Sequence, residues 1–204
     1  MQAPKEQSRV AQIVANLSEQ LLGLAERSWK TLQEFSDITQ ELAKDPFTSD
    51  AKTQSATAEL VIFLLHVCDR VSTATFLATL PAHTAEMLRN AFMGGAVGLT
   101  LPAFVRKACP EDDQDEQEET QADLLHLYNA RATQYGFFSL GGANAVENDS
   151  LFTLAAIRLA EALDCPDNAE VISHGVEVIV SSLGTLREKL PLKAAIGELI
   201  AGTK

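Results

Sequence analysis

Two histidines stand among residue types that could put them to work. In the stretch from Glu59 to Arg70, ELVIFLLHVCDR, a run of apolar residues surrounds His66 and closes on the adjacent pair Asp69 and Arg70. On a helix Asp69 and Arg70 splay about 100° apart, and both reach His66 from three and four positions on. A carboxylate that accepts the second ring proton of an imidazole fixes its tautomer and raises its basicity. Asp69 could in this way orient His66 for metal binding or general-base work. Further along, DLLHLYNAR sets Asp123, His126 and Asn129 at steps of three, with Tyr128, Arg131 and Tyr135 on adjoining faces. If the two helices pack antiparallel, a His-x-x-Asp faces an Asp-x-x-His, the kind of arrangement from which metal sites in bundles are built. The candidate ligand-binding set is therefore His66, Asp69, Arg70, Asp123, His126, Asn129 and Arg131.

The same residues also admit a purely structural use, and this is the expected one. Ionisable groups on an apolar helix need partners if they are to stay buried. Asp69 and Arg70 bridging to neighbouring helices, with His66 hydrogen-bonded in a core, would meet that need. The di-iron pattern of helical bundles wants Glu-x-x-His on two helices, and the sequence has none. It also lacks a His-Asp doublet, the glycine-rich phosphate cradles and a Gly-x-Ser-x-Gly elbow. A third polar cluster, Glu170, His174 and Glu177, has spacings of four and three. No metal and no cofactor is assigned, and no catalytic residue is named.

The elements that must position these residues read as helices throughout. From Val10 to Phe35 apolar residues recur at three- and four-residue spacing, with Pro46 in KDPFTSD as the stop. A second helix runs from near Ser55 or Thr57 to Leu80 and is apolar nearly all round in its first half, so a central position is expected. Pro81 opens a third, AHTAEMLRNAF, which meets the glycines of MGGAVG. Those glycines weaken helical preference but could let another helix approach closely. Because Pro102 sits badly inside a continuous helix, LTLPAFVRKA reads as a separate short one. An acidic loop covers 110–119, with the alternative that it passes into a helix whose first turn the acids favour. A fourth main helix spans 121–138, ending towards Gly141-Gly142. A fifth, capped at Asn148, Asp149 or Ser150, ends before Pro166, and a sixth, capped by Asp167 or Asn168, ends at Pro191. A last short helix covers 192–201. The expectation is an all-α, single-domain bundle of six or seven helices over residues 1–204, with no sheet and with residues 1–8 flexible.

Composition sets the outer limits. The chain has 204 residues and a net charge of −12, and the segment PEDDQDEQEE contributes seven acids and no base. Without a basic face, nucleic acid and anionic lipid lose their usual electrostatic attraction, so neither is expected as a partner. Three widely spaced cysteines fit reduced thiols, the longest unbroken apolar run falls far short of a membrane span, and the first twenty residues lack the apolar stretch of a signal peptide. A soluble, cytoplasmic protein is expected. With no reactive motif in view, the leading expectation is a non-enzymatic helical interaction or scaffold protein, self-associating and open to a protein partner. The long first helix and the face carrying Val176, Ile179, Val180 and Leu183 are the candidate interfaces. The alternative is a metal- or small-ligand-binding bundle that uses the polar stripes around 59–73 and 121–135.

Overall fold

In a computed structural model the chain is described over residues 3–35, 46–47, 50–138, 151–189 and 192–202. Seven helices and no strand occur among these residues: α1 (Ala3–Leu32), α2 (Ala51–Thr79), α3 (Ala82–Ala108), α4 (Gln114–Tyr135), α5 (Leu151–Ala162), α6 (Ala169–Lys189) and α7 (Leu192–Gly202). The continuation of the first helix to Ala43, the Gly141-Gly142 stop, the three candidate caps at 148–150 and the Pro191 stop lie outside the described residues.

Helix α2 is the axis of the bundle, with α1, α3, α4, α5 and α7 all packed against it. Every residue from Ala56 to Cys68 is buried. A helix apolar on all faces needs neighbours on all faces, and these five supply them. By length and composition alone α2 could also cross a membrane, but most of its apolar window is enclosed within the bundle. The core around it holds Trp29 from α1, Phe63 and Phe76 from α2, Phe92 from α3 and Tyr135 from α4. Helix α1 shows its apolar stripe clearly, with Val14, Leu17, Leu21, Ala25, Trp29 and Leu32 all buried. It meets α6 where the hydroxyls of Ser28 and Ser182 touch.

Helix starts follow local chemistry. Asp50 caps α2, its carboxylate accepting from the Thr53 backbone N–H at 2.8 Å and from the Thr53 hydroxyl at 2.6 Å. These bonds hold the Asp50 carboxyl below its ordinary pKa. The helix therefore begins several residues before Ser55. Asn168 rather than Asp167 caps α6, accepting from the N–H groups of Glu170 and Val171. The chain is already helical at Ala3, where Pro4 is tolerated because first-turn N–H groups have no partner to lose.

Two expectations need correction. The acidic segment is not a loop over 110–119: Asp113 and Glu116 form a capping box, and α4 starts at Gln114. Acids in a first turn favour that end of the helix dipole, so the charge run initiates structure there. Residues 82–108 also form one helix, not two. Pro102 removes one backbone bond, yet Leu101, Phe104, Val105 and Ala108 after it are buried like Phe92, Met93 and Ala96 before it. Packing on both sides carries the helix through the proline.

The glycines of α3 divide by what surrounds them. A Cβ at Gly95 would stand 3.3 Å from a Val14 methyl of α1, whereas at Gly94 and Gly98 it would meet nothing within 4 Å. Close approach of α1 thus needs one glycine only. Gly98→Ala should stabilise the protein by about 0.5–1 kcal/mol through helix propensity alone. Gly95→Ala should forfeit that gain against Val14. Urea unfolding of the two variants checks the contrast, and equal effects would sink it.

Candidate functional site

The polar residues of α2 point to different neighbours, and each finds one. Glu59 is 6% exposed within the apolar run. It receives Arg131 of α4 as a fork, Nε lying 3.1 and 3.0 Å from its two carboxylate oxygens and Nη2 closer still. Arg131 Nη1 donates to Gln134 Oε1 at 3.0 Å. Burial alone lowers the Arg131 pKa, and the hydrogen bonds and charge of Glu59 more than offset it, leaving it raised.

At the middle of α2, two helical turns on from Glu59, His66 lies buried beneath α4. Its ring stacks on Tyr128, with centroids 4.4 Å apart and planes 3° from parallel, and meets Tyr135 edge-on at 5.2 Å. His66 Nε2 sits 3.1 Å from the Tyr128 carbonyl, which accepts only, so Nε2 carries the proton. Burial pushes the His66 pKa down to about 4, against smaller upward pulls from the Tyr128 carbonyl and Asp69. The imidazole is neutral and its donor is spent on backbone.

Asp69 and Arg70 do not serve His66. Asp69 is bound by Arg89 of α3, with Nε 2.6 Å from Oδ1 and Nη2 on Oδ2. Arg70 donates to the carbonyls of Tyr135 and Phe138, two acceptors at the end of α4 that have no partner within the helix. Across α4, Asp123, His126 and Asn129 are exposed. The structure therefore brings His66 to Tyr128, and Arg131 to Glu59, but does not converge His66 with His126 or Asp123. In the third cluster His174 stacks on Phe35 at 3.9 Å, while Glu170 and Glu177 are exposed. Among the described residues no three His, Cys, Asp or Glu side chains form a group able to hold a metal ion.

The thiols are similarly quiet. Burial pushes Cys68 up to about 12, and it raises Cys109 as well, with Asp112 adding to the effect. Both stand as protonated thiols, the unreactive form.

Arg89 was missing from the sequence-derived set, although its position carried a signal. It falls on the face of α3 that holds Ala85, Phe92, Met93 and Ala96, all buried. A cation on a core-facing stripe calls for an acid on the neighbouring helix. Arg158 and Glu161 of α5 were missed too; they pair at 2.9 and 2.6 Å beside the Glu59–Arg131 bridge. These two pairs border a cleft of about 450 Å³ between α2, α3, α4 and α5, which Asp123 also lines. No family model matches the chain, and no curated protein or solved structure matches it either.

Two predictions test these assignments. Arg131→Ala strands the Glu59 carboxylate in the core and should cost about 3–5 kcal/mol in urea unfolding. Asp69→Ala frees Arg89, whose side chain is 38% exposed, and should cost only about 1 kcal/mol because the guanidinium turns to water. Equal costs would show that the Glu59 pair is not the buried one. The pH dependence follows from His66. Its folded pKa lies below the unfolded value of 6.5, so the unfolded chain takes up a proton first. Stability should fall by roughly 3 kcal/mol as pH drops from about 6.5 to about 4, then level off for this group. His66→Phe should flatten that part of the profile, and an unchanged slope would assign it elsewhere.

Proposed function

We propose that this chain is a non-enzymatic helical interaction or scaffold protein that self-associates. The observation that carries the reading is Phe137, which is 84% exposed on the turn after α4. The carbonyls on either side of it, those of Tyr135 and Phe138, both accept from Arg70. An aromatic ring is thereby presented on a fixed backbone. Such a ring loses little freedom on docking, and aromatic anchors carry much of the energy at protein interfaces.

The disposition of the ionisable groups supports the same reading. Glu59, Asp69, Arg70, Arg89 and Arg131 are each engaged by another helix or by its end, and His66 by a carbonyl. The expected interface on α6 is largely used within the chain. Ile179 is buried, Val176 and Leu183 pack on the core, and Val180 alone stands out. The apolar face of α1 is likewise taken up. Among the described residues Phe137 is the most exposed large apolar side chain, and Leu77, Met87, Leu99 and Leu125 of α2, α3 and α4 are exposed as well. The partner we propose is a second copy, in the cytoplasm, where Cys68, Cys109 and Cys165 stay free thiols.

Two copies each carrying a net charge of −12 repel one another, so an association held by apolar contact should tighten as salt is added. Light scattering across a concentration series checks this. A dimer should form within the series, and Phe137→Ala should raise its dissociation constant about thirty-fold without changing the melting temperature. A strict monomer at high protein and high salt removes the self-association.

A further inference from the structure

The cleft between α2, α3, α4 and α5 holds about 450 Å³, a volume in the range of small-molecule sites. Thr120, Asp123, Leu127 and Arg131 of α4 all line it, and their steps of three and four put them on one face of that helix. The charges on the cleft do not balance, since Glu59, Asp123 and Glu161 stand against Arg131 and Arg158. Each guanidinium is committed to a carboxylate, Arg131 to Glu59 and Arg158 to Glu161. Asp123 is the carboxylate left over, and it pairs with no cation among the described residues. The approach to the cleft has the same sign. From the last turn of α3 into α4, the seven acids of PEDDQDEQEE and Asp123 itself stand against two bases, Arg106 and Lys107. Glu116 and Glu119 are exposed seven and four residues before Asp123, on its side of the helix. A concave site in such a field gathers cations.

We infer that this cleft binds an organic monocation, a protonated primary amine on a hydrocarbon body. Its ammonium group meets Asp123 at the rim, and the hydrocarbon lies along Phe104, Leu124, Leu127 and Ala162, which give the cleft an apolar wall. Thr120, one turn before Asp123 on the same face, offers a hydroxyl oxygen as a second acceptor. The other ligand classes fit less well. An anionic head would meet three carboxylates, and both guanidiniums are already engaged. A neutral head gains the apolar wall and leaves Asp123 unused. A metal ion gains nothing from that wall, and among the described residues no set of side chains could hold one. The ammonium group also spares the pair that orients α4. Asp123 lies eight residues before Arg131, about 12 Å along the helix axis, so a cation there does not compete for Glu59. Phe137 does not line the cleft, and the site is independent of self-association.

Isothermal titration of the full chain at neutral pH with octylamine, octanamide, octanoate and methylamine tests the inference. Octylamine should bind saturably, one molecule per chain, about five-fold more tightly than octanamide, which has the same chain without the charge. Octanoate and methylamine should bind more weakly than either, the first for its sign and the second for want of a tail. Asp123→Asn, at an exposed position, should bring octylamine down to the level of octanamide while octanamide binding and the melting temperature hold. Thr120→Trp, which fills the cleft from α4, should weaken both about ten-fold or more. Should that variant fail to fold, Ala162→Trp fills the same space from α5. Four results overturn the inference: no saturable octylamine binding up to its solubility, octanamide or octanoate binding as tightly, methylamine binding as tightly, or undiminished octylamine affinity in Asp123→Asn or the filled cleft. Equal binding of methylamine would mean that the acidic surface alone attracts the amine.

Discussion

A carboxylate in the middle of an apolar helix constrains everything around it. Glu59 lies within the unbroken buried stretch from Ala56 to Cys68, and only its edge on the cleft meets water. It keeps that charge only if a cation comes to it, and the geometry of the Arg131 fork fixes which face of α4 turns inward. A rotation of α4 by one residue would carry Arg131 about 100° away. The same rotation would take Tyr128 off His66 and the α4 terminus off Arg70. Three polar ties on α2 therefore agree on one orientation of its neighbour.

That agreement matters because α4 has little else to hold it. Tyr135 is its one fully buried side chain, whereas α1, α3 and α5 each bury a whole stripe. Apolar contact is indifferent to small rotations; hydrogen bonds to a carboxylate or a carbonyl are not. Helix α4 is accordingly placed by direction more than by burial. Its half-buried Leu124 and Leu127 cover α2 and α5 incompletely, and the cleft is the space left between them. The polar ties that orient the helix and the opening beside it have one origin, a helix with too few apolar residues to close against its neighbours.

The helices themselves were legible in the sequence because they depend on periodicity, and α2 announced its central position by being apolar on every side. The breaks were less legible, since proline, glycine and charge runs state only local preferences. Pro102 is overruled by buried residues on both flanks, and the acids at 113–116 begin a helix where charge density suggests a loop. The candidate site was half legible. Spacing by three selected Asp123, His126 and Asn129, but the inward face of α4 is marked by Leu124, Tyr128, Arg131 and Tyr135, to which the first set lies adjacent and exposed. Steps of three drift round a helix of 3.6 residues per turn, so over two steps the polar stripe leaves the face that meets α2. The pairing of Asp69 with Arg89 instead of its sequence neighbour required the course of α3, which only tertiary packing provides.

The unpartnered polar atoms divide the interior in an informative way. Thr57 and Thr100 have buried hydroxyls without partners, and neither lines the cleft. Threonine has nearly the shape of valine, so each stands in the core as a valine would, at the cost of one unmet hydroxyl. Tyr135 and Arg158 differ, because their unmet donors lie among the charges of Glu59, Arg131 and Glu161. An added charge of either sign beside Arg131 would compete for the Glu59 pair on which the placement of α4 rests.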